Sequence, residues 1–230
     1  TNGNLYAGGT FINAGGDANA DYIAKWNPTT QTWSAVGTGV NSWVYAIAFD
    51  TNGNLYAGGG FTSAGTCASD CKYIAKWNGS TWSGLSTGMN FAVRSLAFNA
   101  GTLYAGGVFT TAGTCSSNCS RIAKWNGTTW SGVGGGVGNQ VYALRFDTSG
   151  NLYATGWFET AGSCGSNCQH IAKWNGSAWS ALGSGLKYDG MSLLLDGNVY
   201  VAGGFAATGD GLTTLNYISK WDGATWSPLD

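Results

Sequence analysis

Charge is scarce in this chain of 230 residues: ten Lys plus Arg against eleven Asp plus Glu, 9% in all, where an average soluble protein carries about 25%. No basic stripe exists to neutralise a phosphate backbone, which argues against a nucleic-acid partner. No run of eighteen apolar residues occurs, so no segment reads as a membrane-spanning helix. Histidine is present once, at His170, and glutamate once, at Glu159. A Ser–His–Asp arrangement would have to use His170 itself, and paired carboxylates for glycoside cleavage have few candidates. These scarcities argue against an enzyme. Proline occurs twice, and no stretch of helical period with caps is found. No secretory leader is visible, and the first residue is Thr1. A removed leader and a longer parent protein both fit that beginning.

What is abundant is glycine, at 39 residues, with twelve Trp and eleven Tyr. Disordered chains are poor in aromatics, so this composition indicates a folded, glycine-turned β protein. The length fits one large all-β domain or two small ones. Internal repetition decides between them. Leu-Tyr-Ala-Gly-Gly begins at Leu5, Leu55 and Leu103, with variants at Leu152 and Val199. Ile-Ala-Lys-Trp begins at Ile23, Ile74, Ile122 and Ile171, with a variant at Ile218. The tryptophans of this second motif, Trp26, Trp77, Trp125, Trp174 and Trp221, are spaced by 51, 48, 49 and 47 residues. A second Trp follows each, at Trp33, Trp82, Trp130, Trp179 and Trp226. A period near fifty with paired Gly and Trp indicates propeller blades.

Each unit reads as four strands. In the second unit these are A, Val44–Phe49; B, Asn54–Gly58; C, Tyr73–Trp77; and D, Thr81–Leu85. Asp50-Thr51-Asn52-Gly53 reads as the A–B hairpin turn and Asn78-Gly79 as a tight C–D turn. The expected fold is therefore all-β: a single five-bladed β-propeller of four-stranded antiparallel blades over 1–230. Its repeats fall at about 1–37, 38–86, 87–134, 135–183 and 184–230. Strands B, C and D occur five times, but A only four: Val44–Phe49, Val93–Phe98, Val141–Phe146 and Met191–Leu195.

On the Gly-Gly strand, the downstream aromatic strand and the Trp strand, the chain resembles kelch-like propellers. It is similar above all to the kelch-like repeats of bacterial surface proteins and of the fungal cortical cell-polarity marker family, and this resemblance covers essentially the whole chain. A second resemblance, to the five-bladed tachylectin family, rests on Val36–Ala57 (VGTGVNSWVYAIAFDTNGNLYA). In that family a loop aromatic helps to hold the sugar, and Trp43 matches it. In kelch-like propellers strand A is innermost, so the resemblance implies a first blade without its inner strand. A longer natural chain, a strand donated by another chain, or a ring closed over a three-stranded blade would each account for that. An unfilled edge would favour self-association.

Six cysteines form local pairs, Cys67/Cys71, Cys115/Cys119 and Cys164/Cys168, each in a B–C loop. Units one and five lack both members. Presence or absence as a pair is the pattern of disulfides Cys67–Cys71, Cys115–Cys119 and Cys164–Cys168, and these place the chain in an oxidising, extracellular or cell-surface setting. Metal binding is the rival, but zinc needs four ligands together and only His170 could supplement one pair. No cofactor is implied.

His170 aligns with Tyr22, Tyr73, Arg121 and Tyr217, a pattern expected of a surface position at the start of a strand. Asp50, Asp147 and Asp196 read as turn residues and only faintly as calcium loops. Four Asn-x-Ser/Thr sites occur, three of them in the hairpin turns. The repeated Lys25, Lys76, Lys124, Lys173 and Lys220 are expected to lay their stems on apolar surface. Strands alternate in direction, so B–C and D–A loops share one face, and this is the variable face. Its D–A loops carry aromatic and amide groups, and the candidate ligand-binding residues are Asn41, Trp43, Asn90, Phe91, Asn139, Gln140, Tyr188 and Asp189. The functional expectation is a non-enzymatic extracellular interaction module meeting a protein or glycan at a cell surface. A carbohydrate-binding lectin and a self-assembling structural subunit are the alternatives.

Overall fold

The structure is a computed structural model that describes residues 3–116 and 118–229. Among these residues it is a five-bladed β-propeller of antiparallel sheets, four of them four-stranded and the first three-stranded. Blade 1 comprises β1 (Leu5–Gly8), β2 (Ile23–Asn27) and β3 (Thr32–Ala35). Blade 2 comprises β4 (Val44–Phe49), β5 (Leu55–Gly59), β6 (Ile74–Trp77) and β7 (Trp82–Ser83). Blade 3 runs from β8 (Val93–Asn99) through β9 (Thr102–Gly107) and β10 (Ile122–Trp125) to β11 (Trp130–Gly132). Blade 4 has β12 (Gln140–Phe146), β13 (Leu152–Trp157), β14 (Ile171–Trp174) and β15 (Trp179–Ser180). Blade 5 has β16 (Gly190–Asp196), β17 (Asn198–Gly203), β18 (Ile218–Trp221) and β19 (Trp226–Pro228). The outer strands β7 and β15 are shorter than the span read for strand D, because only the Trp-Ser pair meets strand C in register.

The hydrophobic core lies between blades. Tyr6, Ile23 and Val36 of blade 1 pack with Val44, Ile47, Leu55, Ala57, Phe61 and Trp82 of blade 2. The same pattern recurs at the next three junctions. A single sheet of this size cannot bury both apolar faces, so each blade depends on its neighbours. Within each blade the two tryptophans tilt against each other with ring centroids 5.3 to 5.5 Å apart. The second Trp then tethers its blade to the previous one. Indole N–H groups donate from Trp82 to the Val36 carbonyl at 3.0 Å, Trp130 to Leu85 at 3.0 Å, Trp179 to Val133 at 3.2 Å and Trp226 to Leu182 at 2.8 Å. Among the described residues Trp33 makes no such bond, and the equivalent acceptor would be the Leu229 carbonyl of blade 5.

The three cysteine pairs are disulfides, with Cα atoms 5.7, 5.8 and 5.8 Å apart. Single 3-10 turns at Ser69–Cys71 and Ser166–Cys168 bring two of the pairs within bridging distance. The two blades without cysteine hold the same loop with an aspartate. In blade 1 the Asp17 carboxylate accepts from the Asn19 and Ala35 amides. In blade 5 Asp210 accepts from the Thr208 hydroxyl and the Leu212 amide. These hydrogen bonds hold both carboxyls below their ordinary pKa.

Candidate functional site

The Gly-Gly at the end of strand B has two separate uses. The first glycine faces the next blade: a Cβ at Gly58 would lie 2.6 Å from a Val93 methyl, and one at Gly106 2.5 Å from a Val141 methyl. The second glycine makes room for the inner strand of its own blade. A Cβ at Gly59, Gly107, Gly156 or Gly203 would collide with the carbonyl oxygen of Trp43, Ala92, Gln140 or Asp189. At that point every inner strand carries a β-bulge. Pairing jumps from Val44 to Ala46, from Val93 to Ser95, from Val141 to Ala143 and from Gly190 to Ser192. The residues left unpaired are Tyr45, Arg94, Tyr142 and Met191. A bulge re-aims a side chain, and these four together line one recess of about 330 Å³ between the inner strands.

Arg94 occupies the middle of this set. Its guanidinium carbon lies 5.3 Å from the ring centroid of Tyr45 and 5.3 Å from that of Tyr142. Both distances are within cation–π range, and the two rings restrain an otherwise flexible arginine. Among the described residues the ion pair is Lys76 with Asp50, at 4.0 Å, so no described carboxylate lies within ion-pair distance of Arg94. Burial raises the Tyr142 pKa; the Asp189 charge adds to this and the Arg94 charge opposes it, so Tyr142 stays a neutral phenol. The arrangement is a fixed cation between two aromatic faces, open to solvent, and it suits an anionic group attached to a flat or ring-shaped body.

The candidate residues chosen from sequence are dispersed around this recess. Trp43 stands edge-on to Tyr45, with ring centroids 6.3 Å apart, but is not among the residues that line the recess. Phe91 stacks instead on Tyr73 at 6.0 Å. Asn90 and Tyr73 line a second recess, of about 430 Å³. Asn139 lines a third with Trp157 and Glu159, and its side-chain oxygen accepts from the Gln140 amide at 2.9 Å. Gln140 is half-buried and Tyr188 is exposed. Asp189 contributes its backbone carbonyl to the Gly204 amide at 2.8 Å. Asn41 and Asn90 act as clamps. The Asn41 side chain accepts from the Thr62 and Ser63 amides and donates to the Thr62 hydroxyl. Asn90 does the same with Thr110 and Thr111. These bonds tie each D–A loop to the B–C loop of its own blade, so the two loop types do share a face.

Tyr45, Arg94, Tyr142 and Met191 were missed from sequence, because simple alternation along strand A gives no sign of a bulge. A signal was present: the strands repeat closely, yet their second position reads Tyr, Arg, Tyr, Met.

His170 is buried, 7% exposed, and so does not occupy the surface position expected of it. Its Nδ1–H donates to the Gly156 carbonyl at 3.1 Å. Burial lowers its pKa, against smaller opposing effects of that hydrogen bond and of the Asp189 and Glu159 charges. Tyr22, Tyr73, Arg121, His170 and Tyr217 all adopt φ between 62 and 70°. Each donates its amide to the Phe carbonyl at the start of its own B–C loop, but this shared left-handed turn does not bury the side chain by itself, since Tyr217 is 61% exposed. Asp50 and Asp147 are turn residues. Asp50 accepts from the Asn52 and Asn54 amides and the Asn54 side chain, and Asp147 repeats the pattern with Ser149 and Asn151. Burial raises both pKa values, but these donors outweigh it and hold both carboxyls below the ordinary value. Burial and the Asp50 carboxylate push the Tyr56 hydroxyl up to about 12.

No family model matches this sequence, and no curated protein does. Solved structures do match in fold. Two are of the extracellular domain of BT4673 from B. thetaiotaomicron, described as part of a one-component and of a hybrid two-component system. They are 13% and 11% identical with a TM-score of 0.57, over 90% and 96% of this chain. This chain spans about a quarter of their length, 25% and 26%. The computationally designed protein Ika8 matches with a TM-score of 0.51 at 16% identity, over 90% of this chain and 67% of its own. At such identities the likeness is one of propeller fold.

Proposed function

We propose that this chain is a non-enzymatic extracellular recognition module whose axial recess binds an anionic ligand, best fitted by a sugar bearing a carboxylate. The observation that carries this reading is Arg94 held between Tyr45 and Tyr142 at the mouth formed by the bulged inner strands. A guanidinium offers paired donors that match a carboxylate. Tyr45 and Tyr142 offer flat faces for a sugar ring, and Trp43 stands against Tyr45. Three disulfides support an oxidising location, and the BT4673 structures, similar in fold, are of an extracellular domain. Binding without turnover is favoured because Asp50 and Asp147 are occupied as turn acceptors and His170 is buried against a carbonyl.

Calorimetric titration with glucuronate or galacturonate oligomers, beside neutral glucose oligomers, tests the reading. Saturable binding is expected for the acidic sugars, with a loss of about tenfold or more in Arg94→Gln, or about 1.4 kcal/mol. Equal affinity for neutral and acidic sugars, or no binding at millimolar concentration, would remove it.

A further inference from the structure

We propose that the recess beside Trp157 is an acetamido subsite, so that it and the axial recess together take an oligosaccharide in which an acidic sugar is joined to an N-acetylated one; this rests on the acidic-sugar reading above. Blades 2 and 3 show how the fold ordinarily fills this place. The Asn41 side-chain oxygen accepts from the Thr62 and Ser63 amides, and its nitrogen donates to the Thr62 hydroxyl at 2.9 Å. Asn90 makes the same three bonds with Thr110 and Thr111. The backbone of blade 4 is alike: the Gly138 amide donates to the Thr160 carbonyl at 2.9 Å, as Asn41 does to Ser63 and Asn90 to Thr111 at 3.3 Å. The carboxamide is missing there, because the residue is glycine.

Two more departures from the repeat fall at the same spot. Trp157 stands where blades 2 and 3 have Gly60 and Val108, and Glu159 where they have Thr62 and Thr110. Gly138, Trp157 and Glu159 line one recess of about 280 Å³ with Asn139 and Thr160. Blade packing demands none of the three, since Trp157 is 55% exposed and Gly138 and Glu159 are exposed as well. Among the described residues the Glu159 and Thr160 amides have no protein acceptor, and the Asn139 side-chain oxygen is taken by the Gln140 amide. An acetamido group supplies what the missing asparagine supplied. Its carbonyl accepts from those two amides, and its N–H donates to the Glu159 carboxylate in place of the threonine hydroxyl. The ring that carries it lies on the Trp157 indole. A second carboxylate in this place would face Glu159, so the group held here is a neutral one. Asn139 of this recess and Tyr142 of the axial one are three residues apart, about 10 Å of strand, a span that a disaccharide covers.

Calorimetric titration with two tetrasaccharides of equal charge tests the proposal: glucuronate alternating with N-acetylglucosamine, and glucuronate alternating with glucose. The unaltered chain is expected to bind the first about tenfold or more tightly than the second, because only the acetamido group meets both free amides and Glu159. Two variants use residues the chain itself carries at the equivalent positions, Gly138→Asn from blades 2 and 3 and Trp157→Val from blade 3. Circular dichroism verifies that each is folded, and either one alone suffices for the test. In each the difference between the two tetrasaccharides is expected to shrink to about twofold or less, while the affinity for glucuronate alone stays that of the parent. Equal affinity of the unaltered chain for both tetrasaccharides would overturn the subsite and leave the acidic-sugar reading standing. So would a difference that persists in the folded variants. An unaltered chain that binds neither tetrasaccharide would remove the subsite and that reading together.

Discussion

Trp130 gives up the solvation of its indole N–H to bond the Leu85 carbonyl of the preceding blade, and both ends of that bond are buried. Replacing it with Phe strands the carbonyl, which costs on the order of 1–3 kcal/mol. We expect Trp130→Phe to lower the unfolding free energy from urea titration by that amount and Trp33→Phe, whose indole N–H has no carbonyl partner among the described residues, to lower it less. Equal losses at both positions would mean that ring packing alone holds the junction. His170 is the residue through which pH acts near neutrality. Its folded pKa lies below the ordinary 6.5, so the unfolded chain takes up the proton more readily. Its contribution to stability is complete above pH 6.5 and is lost as the pH falls through the depressed folded value. His170→Tyr places there the residue that three other repeats use. Urea titrations at pH 7.5 and 5.5 are expected to differ for the parent and to converge for this variant.

Neighbouring strands pack through paired choices. Gly58 meets Val93 and Gly106 meets Val141, but at the junction of blades 4 and 5 the pair is reversed, with Thr155 on β13 and Gly190 on β16. The Thr155 hydroxyl then donates to the His170 carbonyl at 2.7 Å. Small-against-large is conserved in volume even though the large residue changes strand. Gly106→Thr alone overpacks the junction and should cost about 1–3 kcal/mol. Adding Val141→Gly should recover a measurable part of that, a favourable coupling in a double-mutant cycle. A purely additive pair would show that the two side chains do not meet. The B–C loops give a second test at this scale. Closing a loop of five residues restricts the unfolded chain by about 2 kcal/mol in the entropic account. Reducing the disulfides is therefore expected to lower the thermal midpoint, while the loops of blades 1 and 5, held by Asp17 and Asp210, should stay as protected from hydrogen exchange as before.

Across the whole molecule, stability passes from blade to blade, because each sheet buries its faces only against its neighbours. Blades 2, 3 and 4 have neighbours on both sides, and blades 1 and 5 on one. Native-state hydrogen exchange under dilute conditions is expected to open β1, β2 and β18 at lower free energy than β9 and β13. Uniform protection across all five blades would contradict this order. The axial recess depends on the same geometry, since its four residues come from four different inner strands. A change that separates blades 2 and 3 would move Arg94 away from Tyr45 without touching either residue.

The repeat, the blade count, the missing inner strand and the cysteine pairing were all legible in the sequence. They rest on local patterns that recur at a fixed period: Leu-Tyr-Ala-Gly-Gly, Ile-Ala-Lys-Trp and C-x3-C. The shared face of the D–A and B–C loops followed from strand alternation alone. Three features depended on tertiary structure. The bulges that turn Tyr45, Arg94, Tyr142 and Met191 into one recess depend on where a loop carbonyl settles over a glycine. The burial of His170 depends on what packs around it, since Tyr217 shares its left-handed turn and is 61% exposed. The burial of Leu55, Leu103 and Leu152 depends on the preceding blade lying against each of them. A local motif states what a residue is able to do, but which groups meet across separate blades is decided only once the sheets are placed around their axis.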